Sequence, residues 1–188
     1  MSDLIIFLLA YCLLLVFGIV ILRVVVCREY LSKGRLSVPV SMLQAVLFFT
    51  YGGFPYLYLP RNWPAVHVPT IVHIFGITFI IIGLAGLFYG MIKLGIFRSM
   101  GHSETKLQRS GIYSKTRNPQ ALACGLYVIG FTILWPSWQA LAWAILYPVL
   151  IHMMIITEEQ YLLKIHGKEY LDYCQEVPRY LDIRSNSA

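Results

Sequence analysis

The chain has 188 residues, 58% hydrophobic and 13% charged, with a mean hydropathy of +0.67 and a net charge of +6. A soluble domain carries about 25% charged residues, so this composition excludes a disordered chain, a collagen-like fibre and an ordinary cytosolic domain. It reads as one all-α integral membrane domain over residues 1–188, whose basic excess belongs to loops on one face and is no argument for nucleic acid.

Five apolar segments follow in chain order. Leu4 to Val26 is the first, interrupted only by Arg23, and a basic linker with Arg28, Lys33 and Arg35 follows it. It is too long for the apolar region of a cleavable signal and is expected to stay as an anchor. The second runs from Val38 to Leu59, with Gly52, Gly53 and Pro55 predicting a kink or an early end. The loop 60–69 leads to the third, Thr70 to Ile92, whose Gly86-Leu-Phe-Tyr-Gly90 is a small-residue packing motif. These three spans make up residues 1–92. Residues 93–188 begin with a long polar loop, Lys93 to Asn118. A helical hairpin follows, Gln120 to Trp135 and Trp138 to Thr157, turned at Pro136-Ser137. From Glu158 the chain becomes polar. Leu162, Ile165, Tyr170, Tyr173 and Val177 recur at near-helical spacing, which predicts helices lying along the interface.

Fourteen of the fifteen Lys and Arg residues fall on alternate loops; Arg61 is the exception. The positive-inside rule then predicts an outside N-terminus and a cytoplasmic C-terminus. Cys12, Cys27, Cys124 and Cys174 are scattered, so neither a metal site nor a disulfide framework is expected.

The chemistry collects at the cytoplasmic ends of the last spans. In the stretch Gly111 to Gln120, Pro119 is suited to start a helix whose first N–H groups attract an anion. Tyr113, Arg117 and Gln120 add donors. At the other end of the hairpin, Glu158 and Glu159 are adjacent carboxylates that repel one another and are costly to desolvate. The hairpin brings both clusters to one membrane face, where donors beside carboxylates suit a zwitterionic ligand bearing hydroxyls and an ammonium.

Gly111-Ile-Tyr113, Arg117-Asn118-Pro119, Glu158-Glu159, Gly167-Lys-Glu-Tyr170-Leu-Asp-Tyr173 and Val177-Pro-Arg179 occur in that order. This pattern resembles the C-terminal half of the membrane-integral methyltransferases, which include isoprenylcysteine carboxyl methyltransferases and phospholipid N-methyltransferases. The resemblance spans Lys93 to Leu181. It implies S-adenosylmethionine in a cytoplasm-facing pocket and a small lipidic or lipid-linked acceptor arriving from the bilayer, with membrane lipids around it and no metal. Carried over by position, the cofactor contacts fall on Thr105, Lys106, Leu107 and Gln108, on Tyr113, on Asn118, Pro119, Gln120 and Ala121, and on Glu158. Arg117 joins them as a donor, and Arg98 or its neighbour Ser99 aligns with a further polar contact.

Asn118 stands where the isoprenylcysteine enzymes have His, nearer the phospholipid-type pattern. Ala121 replaces a Tyr, and Met154 replaces an Arg that holds the substrate carboxylate, which disfavours a prenylcysteine acceptor. Methyl transfer from a sulfonium needs positioning and exclusion of water. A neutral amine acceptor also needs somewhere to leave its proton. His152 and Glu159, seven residues apart on one helix face, are the candidates. Two rival readings are a nicotinamide-dependent, sterol-reductase-like membrane enzyme and a non-catalytic membrane protein that retains the fold.

Overall fold

Apolar backbone in a bilayer must satisfy its own hydrogen bonds, and a helix does so within one segment. The computed structural model describes residues 2–53, 69–102 and 106–181, and among these the regular structure is entirely helical. Helix α1 (Ser2–Ile19) runs through a π-helical segment, Val20–Val26, into α2 (Cys27–Lys33). Gly34 ends the run with φ 68°, the left-handed conformation favoured by glycine. The turn is held by Glu29, which accepts from Lys33 and from the backbone N–H and hydroxyl of Ser37 at 2.6–2.9 Å.

Helix α3 (Val38–Gly53) follows, then α4 (Thr70–Leu94), the single turn α5 (Ile96–Ser99), and a 3-10 turn, Gly111–Ser114. Helix α6 (Pro119–Leu134) begins on the expected proline. Helix α7 (Trp138–His166) is capped by Ser137, whose hydroxyl accepts from the Ala140 N–H at 3.1 Å. Gly167 then separates α7 from α8 (Lys168–Glu176).

Among the described residues, three runs are long and apolar enough to cross a membrane: Asp3–Lys33, Thr70–Leu94 and Trp138–His166. The segments expected to be the second and fourth spans are apolar helices of 16 residues each. The expected tail of the second span and its following loop fall within 54–68, outside the described residues.

The glycines of α4 pack it against α6. A Cβ on Gly83 would lie 2.5 Å from the Tyr127 nitrogen and 2.7 Å from the Ala123 oxygen. One on Gly130 would lie 2.6 Å from the Gly76 oxygen. These helices therefore meet backbone to backbone at Gly76, Gly83 and Gly130, while the motif glycines Gly86 and Gly90 pack closely on the side chains of Ala123 and Gln120. Helices α3 and α7 lock through aromatics instead. The Trp143 indole donates to the Tyr51 carbonyl at 3.1 Å, and the Tyr51 hydroxyl donates to the Trp143 carbonyl at 2.9 Å. Helix α6 reaches α7 through Tyr147, whose hydroxyl donates to the Ala121 carbonyl.

One boundary differs from expectation. Helix α7 continues past Glu158 to His166, so the carboxylate pair lies inside a helix rather than at its end. Gln, Tyr, Leu and Lys at 160–164 are compatible with helix, and the break waits for Gly167 at φ 52°. Of the residues at near-helical spacing, Tyr170, Tyr173 and Val177 are buried, whereas Ile165 is exposed.

Candidate cofactor site at one end of the helices

The end of α4, the 107–121 loop and turn, the lower part of α7, and α8 enclose a cavity of about 880 Å³ counted with its open mouth. Arg98, Leu107, Gln108, Tyr113, Arg117, Asn118, Pro119, Gln120, Ala121, Glu158 and Glu159 all line it. Residues as far apart in sequence as Arg98 and Glu159 are brought together because Pro119 starts α6 at the depth where α7 carries its two carboxylates. Lys106 does not line the cavity, although its carbonyl accepts from Arg98. Thr105 lies outside the described residues. His152 is also away from the cavity wall; its Nδ1 is 2.8 Å from the Tyr180 hydroxyl.

The two carboxylates differ in company. Glu159 accepts from Arg179 Nε at 3.0 and 3.1 Å and from Nη2 at 2.6 Å, and it pairs with Arg117 at 3.0 Å. Two guanidiniums thus converge on one carboxylate whose side chain is 14% exposed. The Arg179 guanidinium is held above its ordinary pKa by that hydrogen bond to Glu159. Arg117 also approaches the Cys174 sulfur at 2.6 Å and the Tyr170 hydroxyl at 3.3 Å. Glu158 is the carboxylate whose charge reaches Tyr113. Burial first, and then Glu158, push the Tyr113 phenol up to about 12.

Two buried polar atoms at this site, Tyr113 Oη and Arg117 Nε, have no hydrogen-bond partner among the described residues. A buried donor without a partner costs about 1–3 kcal/mol. The first turn of α6 carries no side-chain cap, so its leading N–H groups stay available to an acceptor.

A strap, residues 177–181, is tied to the segment that leads into α6. The Arg117 N–H donates to the Pro178 carbonyl at 3.0 Å, and Asn118 Nδ2 donates to the Arg179 carbonyl at 2.9 Å. Gln120 Nε2 reaches the Ser99 hydroxyl at 3.3 Å. Sequence reasoning missed the aromatic walls formed by Tyr30, Tyr161, Tyr170 and Tyr173. The spacing of Tyr170 and Tyr173 on α8 was a readable signal, because residues three apart share a helix face. Nothing local marks Tyr30, which comes from α2 and stacks on Tyr161 with centroids 4.2 Å apart.

A family model described as phospholipid methyltransferase matches residues 71–169, just over half of the chain. No curated protein and no solved structure matches.

Proposed function

The chain belongs to the phospholipid methyltransferase family, and from that premise we propose that it moves the methyl group of S-adenosylmethionine to a small lipidic or lipid-linked acceptor at the cytoplasmic membrane face. The observation that carries this reading is the pairing, in one cavity, of orphaned buried donors on Tyr113 and Arg117 with the carboxylate of Glu158. That donor set fits a ligand with a carboxylate, an ammonium and ribose hydroxyls. When bound, the cofactor supplies an electrophilic methyl on a sulfonium.

The side chains divide the work. The first turn of α6, with Tyr113 and Gln120, offers donors to a carboxylate. Glu158 accepts from hydroxyls or lies beside an ammonium. The aromatic walls from Tyr30, Tyr161, Tyr170 and Tyr173 exclude water, which favours a reaction that neutralises charge. Of the two expected proton acceptors, Glu159 lines the cavity and His152 does not. We assign the acceptor's proton to Glu159 and a structural role to His152. Met154 contributes an apolar wall where a cation would hold a prenylcysteine carboxylate, so an amine or phospholipid-like acceptor suits the site better.

The same reading takes all five apolar helices as spans, with α6 and α7 as the hairpin, the N-terminus outside and the C-terminus cytoplasmic. A 16-residue helix covers about 24 Å of a ~30 Å core, a mismatch that local thinning of the bilayer accommodates.

Calorimetric titration of S-adenosylhomocysteine into the full chain and into Glu158→Gln tests the site. Losing a charged hydrogen bond is worth about 1.5–3 kcal/mol, or roughly a tenfold to hundredfold weaker affinity. Labelled S-adenosylmethionine with lipid extracts then reads transfer. Equal affinity in both proteins, or binding of a nicotinamide nucleotide in its place, would overturn the assignment.

A further inference from the structure

Arg23 is the one basic residue inside an otherwise apolar stretch, Leu4 to Val26, and it lies within the π-helical segment Val20–Val26. Such segments recur at functional sites. Its side chain is anchored to α7. Arg23 Nη1 donates to the Thr157 hydroxyl at 3.0 Å and to Gln160 Oε1 at 3.4 Å. The Thr157 hydroxyl is fully buried and donates in turn to the Leu22 carbonyl at 3.1 Å. Cys27 Sγ donates to the same Gln160 oxygen at 3.6 Å. These partners are all neutral. No carboxylate pairs with Arg23 among the described residues, in contrast to Arg109, Arg117 and Arg179, which each pair with a glutamate.

The depth of this contact follows from two independent counts. About 20 residues of helix cross a ~30 Å hydrocarbon core. Counted from Leu4, that length ends at Arg23; counted from Trp138, at the start of α7, it ends at Thr157. The two residues that touch are therefore both expected at the inner boundary, level with the headgroup layer. The surroundings face outward: Val20 is 44% exposed, Val24 57% and Leu163 42%. Lys164 lies one turn beyond Gln160 toward the cytoplasmic end and donates to the Leu31 carbonyl. The cofactor cavity lies on the neighbouring face of α7, lined by Met154, Glu158, Glu159, Tyr161 and Leu162, and Arg23, Thr157, Gln160 and Lys164 do not line it.

We propose that Arg23, backed by Thr157 and Gln160 and flanked by Lys164, binds the phosphate of an anionic membrane lipid at the inner leaflet, at a site separate from the cofactor cavity. An arginine held by one of its nitrogens still presents a planar donor edge, the geometry that matches phosphate oxygens. The cytoplasmic leaflet carries the anionic lipids that would supply a counter-charge to Arg23. The proposal rests on the membrane placement above and not on methyl transfer.

Thermal unfolding of the detergent-solubilised full chain, titrated with phosphatidylglycerol, gives the lipid affinity. Diacylglycerol with the same acyl chains removes only the phosphate headgroup, and inorganic phosphate removes the lipid. We expect phosphatidylglycerol to raise the midpoint, with the other two inert at equal concentration. Arg23→Gln should weaken the lipid affinity about tenfold to hundredfold, and Arg23→Lys should restore part of it. S-adenosylhomocysteine affinity should be unchanged in Arg23→Gln, which reads folding and the cofactor cavity separately. Should Arg23→Gln not fold, Gln160→Ala carries the same comparison. An equal lipid response in wild type and variant, or an equal response to diacylglycerol, would overturn the site. An equal response to inorganic phosphate would overturn its assignment to lipid.

Discussion

The family-matched stretch, residues 71–169, and the two flanks that close around it are built by different physics. Inside the stretch, α4 and α6 meet through glycines, backbone against backbone, with no tolerance for added atoms. The flanks act through rings and charges. Tyr30 comes from the N-terminal side; Tyr170, Tyr173 and Arg179 come from the C-terminal side. The matched stretch supplies most of the cavity lining, including the polar groups that would hold a ligand, and the flanks add the rings of Tyr30, Tyr170 and Tyr173 to its wall. A family match over half the chain therefore leaves out part of the enclosure.

The largest expected effect is at the glycine contact. Gly83→Val places its Cβ 2.5 Å from the Tyr127 nitrogen, and neither helix backbone can yield cheaply. We expect a loss above about 3 kcal/mol, read as collapse of folded yield in detergent. Gly52→Ala is the control, because its nearest neighbour is the far edge of the Tyr127 ring at 3.9 Å. Equal tolerance of both would dissolve the contrast between the regions.

Next comes the C-terminal flank. Arg179→Met removes the bidentate partner of Glu159 and leaves Arg117 alone with it. The charged hydrogen bonds lost are worth about 2 kcal/mol, read as a lower unfolding midpoint together with weaker S-adenosylhomocysteine binding. An unchanged midpoint and affinity would make the strap a passive tail.

The N-terminal flank should matter less. Tyr30→Leu keeps an apolar side chain but removes the stacked pair with Tyr161, whose rings are 16° from parallel. Such pairs contribute about 0.5–1.5 kcal/mol beyond area burial. Midpoint and acceptor preference in a panel of amines and phospholipids would measure it. A variant indistinguishable from wild type would confine the site to the matched stretch.

The same division explains what was legible in the sequence. The turn at Asn118-Pro119 and the pair Glu158-Glu159 could be read because each is compact in sequence and a short turn brings them to one depth. The glycines of α4 were legible as close packing, and they face α6, a partner their spacing alone does not name. Tyr30 was not legible, because its place in the wall depends on how α2 lies across α7, and no period of 3.6 encodes that. The end of α7 was misplaced for another reason. Charged residues at 158 and 159 mark where a helix leaves hydrocarbon, whereas Gly167 marks where it stops being a helix.

The last effect, absent at neutral pH, separates the two regions by pH. Burial pushes the Tyr113 phenol, within the matched stretch, and the Tyr173 phenol, on the flank, each up to about 12. The unfolded chain releases those protons near the ordinary value of 10, whereas the folded chain keeps them. Below pH 10 both states hold the proton, and the stabilisation is fully present. As pH rises from 10 toward 12 the unfolded state alone ionises, so stability falls by about 1 kcal/mol per pH unit for each phenol. Tyr113→Phe removes one such group and should flatten the fall of the midpoint between pH 10 and 11; Tyr173→Phe should do the same. Tyr173 also donates to the Tyr113 carbonyl at 2.6 Å, so its variant should start from a lower midpoint at neutral pH, whereas Tyr113→Phe removes a hydroxyl that has no partner among the described residues and should start near or above wild type. Equal neutral midpoints in the two variants would mean that the α8 flank does not brace the 3-10 turn carrying Tyr113, and the enclosure would then belong to the matched stretch alone.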